Sequence, residues 1–572
     1  MTAVLPTVLP LTIEQVNPPS ELGGRVTPSA AIVDDDAAAG TVLGVLSVSG
    51  AGAGPWAFTL DDDAGGMFAI SGHDLVVGLV ALDHGNMPAP AITVTATNGK
   101  RTIRKTLVIN VRRPLPSLPM AAGAKVVGVG HSFIQRGGWG ILSGGKPRDL
   151  SVSNVRGVLP WIRLRDNRFN LDVWHDPTNN LGTDNYLTGA FQGVGGDHIV
   201  TEGGAPGVVA RLPYVAALRP GIVYLDIATN DISSAPNVSV ALVVGRLDTL
   251  LTLLRNEGIW TVIQTVADRG AWPQGDDRAS IVAGVNEWIK AQATRDGVRV
   301  ADCTELGFNY PTFDPTLFGG DVLHPNPKGG NAMAGVVLPI LQEMVAPGDH
   351  MDLTDASIFG ASNLWADAAG ATTASSTATG TSGTRVSTLV IARSSGDSTV
   401  VAAVEDAGTY KKQVATWTMS GTETGNRYEE WRLRKNGSSI TLASLGIVPG
   451  VDWLEAGCYV ELSPWDGWLA VQLQLEFYDA GNAQKYIARG GLSNPDRSTQ
   501  DLPLAASGFS GWLKVPAFLI PGDVGAINWT AASRPLVIEV NRRVAGPGGT
   551  LKFSKPFLRK CSDPRIAWNV AA

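Results

Sequence analysis

The sequence predicts a multidomain chain: an N-terminal β-sandwich, a central α/β/α domain built on a parallel sheet, and a C-terminal β-sandwich. Three observations carry this. Between about Val26 and Arg113, short β-type runs (GTVLGVLSV, MFAISGHDLVVG, PAITVTATN, TLVINV) alternate with turn residues, the pattern of an all-β sandwich. Next, the continuous apolar runs KVVGVG, GIVYLDIA, IWTVIQTV and VRVADC alternate with helical patterns at 207–218, 239–256, 278–295 and 327–344. Strands apolar throughout, separated by amphipathic helices, belong to a parallel sheet covered on both faces. Third, WLAVQLQLEFY puts Leu469, Val471, Leu473, Leu475 and Phe477 on one face and Ala470, Gln472, Gln474, Glu476 and Tyr478 on the other, the period of a half-buried strand.

These runs divide the chain into an N-terminal segment 1–26, a sandwich 27–113, a linker 114–122, an α/β domain 123–348 and a β domain 349–572. The linker PLPSLPMAA is stiff and Pro-rich, as a spacer between domains should be. The Ala/Ser/Thr/Gly stretch from Ala366 to Thr384 reads as a flexible connection or a decorated loop, and both readings stay open. With 572 residues, 44% hydrophobic and 17% charged, the chain exceeds one core and is too apolar for disorder.

A net charge of −7 without a basic cluster argues against a nucleic-acid partner. No run of 18 apolar residues is present, so no membrane span is expected. The start, MTAVLPTVLPLTIEQ, lacks a basic region and carries Pro6 and Pro10 within its apolar stretch, so no standard signal peptide is expected. Cys303, Cys458 and Cys561 have no metal or disulfide spacing and read as buried thiols. The runs Asp34–Asp36 and Asp61–Asp63 read as solvated turns rather than calcium ligands.

Acyl transfer by serine needs a hydroxyl at an exposed turn, a base for its proton, a group that orients the base, and donors for the oxyanion. KVVGVGHSF places Ser132 directly after a buried strand, at the carboxyl edge where open α/β sheets bind ligands. The chain then offers GVGGDHIV, Ala228-Thr229-Asn230-Asp231 and Asp321-Val322-Leu323-His324-Pro325 in order. Together these resemble the four blocks of the SGNH (GDSL-like) hydrolases over essentially all of 123–348. In two places the chain departs from the pattern: His131 stands where the family has Asp beside the nucleophile, and Ala228 where it has Gly.

The resemblance implies Ser132 as nucleophile, His324 as general base, Asp321 as the group orienting it, and the backbone N–H groups of Ser132 and Gly196 with the Asn230 amide as oxyanion hole. It implies neither metal nor cofactor. Beside these, His131 is a second base or, more simply, a bonded structural histidine. Asp197 and His198 line the pocket or are ordinary loop polarity. The long segment between Ser132 and Gly196, including WHDPTNNLGTDNY, forms a substrate rim or packs.

Two weaker resemblances flank this domain. FAISGHDLVVG, ALDHG and ITVTATNG are similar to a cadherin-like repeat, although His84 and Gly85 follow Leu82 and Asp83 where a calcium-binding repeat has Glu. The run PLVIEVNRRVAGPGGTLKFSKPFLRK resembles the last strands of jelly-roll carbohydrate-binding modules. Trp465 and Trp468 of WDGW would stack on sugar rings or fill the core, the second favoured by their size.

The expected function is a serine esterase that removes O-acetyl groups from a bacterial surface polysaccharide, located on a virion or outside the cell. Its expected partner is an acylated polysaccharide or oligosaccharide; homo-oligomer and virion assembly are left open. The alternatives are an inactive glycan-binding adhesin and a structural phage-tail protein. On this division of labour, deletion beyond Pro347 should spare the hydrolysis of small esters.

Overall fold

The computed structural model describes residues 25–27, 31–49, 55–137, 148–151, 155–175, 188–204, 207–234 and 237–350. In the C-terminal part it describes 372–374, 379–386, 389–394, 396–408, 410–421, 427–435, 440–441, 446–478, 484–520, 528–529 and 536–569. Most of WHDPTNNLGTDNY, the segment 1–24 and most of Ala366–Thr384 therefore lie outside the described residues. The chain forms two compact units, Met1–Pro116 with Leu247–Trp260, and Ser117–Arg246 with Thr261–Ala572.

In the first unit the predicted β runs form antiparallel sheets. Val42–Val45 pairs with Asp74–Val77, which also pairs with Phe68–Ser71; Ala91–Thr97 pairs with both Ala57–Asp62 and Thr102–Val108. Ile32–Asp34 runs parallel to Asn110–Arg112. Their inward residues, among them Trp56, Phe68, Leu75, Ile92, Val94 and Val111, form one apolar core. The acidic runs act locally: Asp34 pairs with Arg112 at 2.6 Å, Asp61 with Arg104 at 2.7 Å, and Asp62 and Asp63 accept turn N–H groups from Ala64 and Gly66.

The second unit contains the predicted parallel sheet. We label its strands β1 (Val126–Gly130), β2 (Phe191–Gly193), β3 (Ile222–Asp226), β4 (Trp260–Gln264) and β5 (Val298–Ala301); they lie in the order β2-β1-β3-β4-β5. Strand β1 is buried throughout, which is why its sequence has no polar alternation. The helices are α1 (Ser132–Gly137), α2 (Val158–Arg165), α3 (Val208–Ala217), α4 (Thr229–Ser234), α5 (Val240–Asn256, which from Leu247 on belongs to the first unit), α6 (Asp277–Ala291) and α7 (Pro327–Met344). Asn326 caps α7 by accepting from the Gly329 N–H at 3.0 Å, and Pro327 opens the helix where no N–H is needed.

After residue 371 the described chain is almost entirely β. A six-stranded and a ten-stranded sheet meet through tryptophans: Trp417 of Lys411–Ser420 packs edge-on against Trp468 of Trp468–Tyr478 at 5.4 Å and Trp431 of Tyr428–Lys435 at 6.2 Å. Trp465 and Trp468 are 9% and 0% exposed, and their rings lie 5.1 Å apart. The sugar-stacking alternative for WDGW is thereby corrected: both rings fill the core. Trp468–Tyr478 also departs from expectation, because Gln472 and Gln474 are buried as well as Leu469, Val471 and Leu473, so at these two positions the polar face is covered rather than solvated.

The boundary set at 348/349 falls inside this second unit. Arg148–Ser151 adds to the six-stranded sheet beside Gln484–Leu492, and Val173–His175 adds to the ten-stranded sheet beside Ala517–Leu519, both parallel. Buried Trp161 on α2 lies in the same unit, where Arg163 donates to the Lys514 carbonyl at 3.1 Å and Arg156 binds Asp496 at 2.8 Å. Near the C-terminus, Trp568, fully buried, packs 5.9 Å from Trp174 and under the Lys125 ammonium at 5.3 Å.

Candidate active site

The strand order brings the four blocks together. Ser132 follows β1, the loop with Gly196 follows β2, and Asn230 follows β3, so three adjacent strands deliver three groups to one carboxyl edge. Gly130, the last residue of β1, has φ +155°, and a Cβ there would lie 1.9 Å from the Asp226 carbonyl oxygen of β3. Only glycine lets the two strand ends close up before the chain turns to Ser132.

The Ser132 hydroxyl lies 2.8 Å from His324 Nε2, and His324 Nδ1 lies 2.6 Å from Asp321 Oδ2. Since Nδ1 faces a carboxylate, it carries the proton, which leaves the Nε2 lone pair for the serine O–H. The other oxygen of Asp321 accepts the backbone N–H groups of Leu323 at 3.1 Å and His324 at 3.0 Å. Burial pushes this carboxyl up, but those N–H groups and the imidazole outweigh it and hold the group at about 2. The turn closes because Val322 adopts φ +48°, held by a hydrogen bond from the Gly270 N–H to its carbonyl at 2.9 Å.

The residues expected to form the oxyanion hole lie on the other loops. Gly196 has φ +77°, and a Cβ there would meet nothing within 4 Å, so this backbone borders open space. Among the described residues the N–H groups of Ser132 and Gly196 have no acceptor. Asn230 Nδ2 donates to the Asp197 carbonyl at 2.9 Å, directly beyond Gly196, which fastens one donor to the loop carrying the other. Arg269, after β4, donates to Asn230 Oδ1 at 2.9 Å. Nothing in the spacing of the sequence pointed to Arg269, because its contact depends on the adjacency of β3 and β4.

The remaining predicted polar residues are structural. Asp197 is fully buried and accepts from the Gly207 N–H at 2.8 Å and Arg211 Nε at 3.1 Å; His198 Nε2 meets Ser234 Oγ at 2.9 Å. His131, 1% exposed, accepts the Phe133 N–H on Nδ1 at 3.3 Å and sets Nε2 3.6 Å from Asp226. Burial, then the Arg269 and His324 charges, depresses it to about 3, so it is a neutral partner of the turn and not a second base on Ser132. Ala228 takes φ +88°, a left-handed conformation that costs a side-chain-bearing residue about 1–2 kcal/mol. Of the predicted thiols, Cys303 and Cys458 are buried and Cys561 is partly so; all three are free.

The profile of the GDSL-like Lipase/Acylhydrolase family matches residues 160–332, a span holding Gly196, Asn230, Asp321 and His324 and beginning after Ser132. Among solved structures, the chain is similar to a GDSL-like lipase from Bacteroides thetaiotaomicron, at 15% identity over 38% of this chain and 88% of that one, TM-score 0.26. It is also similar to a member of the lipolytic G-D-S-L family from Veillonella parvula, at 21% identity over 38% and 97%, TM-score 0.26. A third is a mutant of an acetyl-xylooligosaccharide esterase from Geobacillus, at 19% identity over 40% and 100%, TM-score 0.29. No curated protein matches the chain. Residues 160–332 are therefore a GDSL-like SGNH hydrolase domain, of the family of lipases and acylhydrolases.

Proposed function

We propose that this chain is a serine esterase that cleaves acyl groups, acetate foremost, from carbohydrate hydroxyls. The observation that carries the reading is the continuous relay from Ser132 Oγ through His324 to Asp321, at 2.8 and 2.6 Å. In the first half-reaction Ser132 Oγ bonds to the ester carbonyl carbon as its proton passes to His324 Nε2, and the carbonyl oxygen becomes an oxyanion. The N–H groups of Ser132 and Gly196 and the free N–H of the Asn230 amide receive that charge. Collapse breaks the ester C–O bond, and the leaving alcohol takes the proton from His324. A water molecule then repeats the sequence on the acyl-serine, releasing the carboxylate and restoring Ser132.

The choice of acylated carbohydrate follows the sequence resemblance of the central domain to a family rich in sugar deacetylases. The large β region fused to it fits a polymeric substrate. Incubating the full chain with an activated acetate ester and with a panel of acetylated bacterial polysaccharides, and measuring released acetate, tests both levels. Ser132-dependent turnover of the small ester together with acetate release from at least one polysaccharide is expected. Small-ester turnover equal in wild type and Ser132→Ala removes the esterase, whereas release from none of the glycans removes only the carbohydrate.

A further inference from the structure

We infer that Arg269 is a positioning residue of the oxyanion hole: it fixes the orientation of the Asn230 amide and sets a half-buried positive charge behind it. The inference rests on the esterase reading above. Arg269 spends its guanidinium on α4. Nη2 donates to Asn230 Oδ1 at 2.9 Å and the Thr229 carbonyl at 2.8 Å, Nε to Thr229 Oγ1 at 3.0 Å, and Nη1 to Ser233 Oγ at 3.0 Å. The Trp272 ring packs 4.7 Å from its guanidinium carbon.

An asparagine amide has two nearly isosteric ends, and its usefulness here depends on which one faces the substrate. With Nδ2 outward, one N–H satisfies the Asp197 carbonyl and the second is left for the oxyanion. Turned over, the side chain would present a carbonyl oxygen to a developing negative charge. Arg269 is the group that excludes this, because a guanidinium only donates and so accepts no other atom of Asn230 than Oδ1. The Asp197 carbonyl imposes the same choice from the other end.

The second element is charge. Among the described residues no carboxylate pairs with Arg269; all its acceptors are neutral. Burial, and then the Arg278 charge, lowers the guanidinium to about 10, so it remains a cation at neutral pH. A half-buried cation whose acceptors are all neutral carries part of the desolvation cost of a buried charge with no ion pair to offset it. Its field favours negative charge forming on the substrate side of Asn230 and adds to burial, the larger cause, in disfavouring a proton on His131. Serine and threonine acceptors can satisfy the N–H groups without quenching that field.

A double-mutant cycle tests this. The kcat and KM for an activated acetate ester are measured for the full chain and for Arg269→Met, Asn230→Ala and the double variant, with active sites titrated by a fluorophosphonate. Removal of one oxyanion donor typically lowers kcat by about 10²–10³, and misorienting it should cost part of that, roughly 10- to 100-fold for Arg269→Met, with KM within about threefold. In the Asn230→Ala background the same change should cost less than about threefold, since nothing is left to orient. Equal losses in both backgrounds, or no loss in the wild-type background, overturn the inference. If Arg269→Met does not fold, Arg269→Lys, which keeps a charge and loses the fork, is read through the same cycle: a partial loss confined to the Asn230 background supports it, and a loss independent of Asn230 overturns it. Wild-type turnover that does not depend on Ser132 would instead remove the esterase reading, and the inference with it.

Discussion

Asn230 and Asp231 are neighbours with opposite duties. The first turns its amide toward the site, while the second is fully buried, accepts the Ile199 N–H at 3.0 Å and Arg246 at 2.8 Å, and so ties the glycine loop to α4. Asp321 divides its two oxygens similarly, one for its own turn and one for the imidazole. Because its folded pKa is depressed to about 2, its contribution is present above the ordinary carboxylate value of 3.8 and is lost only as pH falls through about 2. Between pH 4 and pH 8 Asp321 therefore stays ionised, and loss of activity in acid belongs to protonation of His324, which can then no longer accept from Ser132. The expected profile of kcat/KM falls toward the acid end of this range. A flat profile would show that no imidazole base is involved. All five residues proposed for catalysis and the oxyanion hole could be read from the sequence, since each sits in a short local motif. Arg269 could not, because its role arises from strand adjacency.

The elements were legible where burial is uniform. Helices α5 and α7 fall within a residue or so of their periodic patterns, and β1 and β3 to β5 lie within their apolar runs. Legibility failed where the partner of a segment is distant in sequence: nothing in RDLS or VWH says that a strand some hundreds of residues later will pair with it. The buried Gln472 and Gln474 show the same limit, as alternation reports polarity and not what covers a face. In the first unit, His84 illustrates a contact of this kind. Its Nδ1 faces the Val111 carbonyl at 2.7 Å and its Nε2 faces Glu257 at 3.2 Å, so both nitrogens meet acceptors. The hydrogen bond to Glu257, against burial and with help from the Val111 carbonyl, raises its pKa above 6.5. The stability it contributes is therefore full below 6.5 and is lost as pH rises through the raised value. Hydrogen-exchange protection of residues 91–112 should drop more between pH 6 and pH 9 in wild type than in Glu257→Gln. Parallel drops in the two proteins would contradict the ion pair.

At the scale of the molecule, the hydrolase sheet and the C-terminal sheets share one compact unit. Segments between Ser132 and Gly196 extend both C-terminal sheets, and the carbonyl of Phe318, just before the Asp321 turn, accepts from Gln500 at 3.5 Å. Buried Val173, Trp174 and Trp161 belong to the hydrolase segment, yet Trp174 packs on Trp568 from the far end of the chain. A sequence-based division at Pro347 predicts that the hydrolase survives alone; these contacts predict the reverse. Deleting residues 348–572 would expose that surface, and the truncated chain is expected to be insoluble or to lose most small-ester turnover per titrated active site. A soluble truncation with undiminished kcat would restore the independent hydrolase. The central claim, that His324 activates Ser132, is tested most directly by covalent labelling. A fluorophosphonate should add one adduct per chain, on the peptide containing Ser132, with none in Ser132→Ala and labelling slowed by orders of magnitude in His324→Ala. Labelling at another residue, or at the same rate without His324, would contradict it.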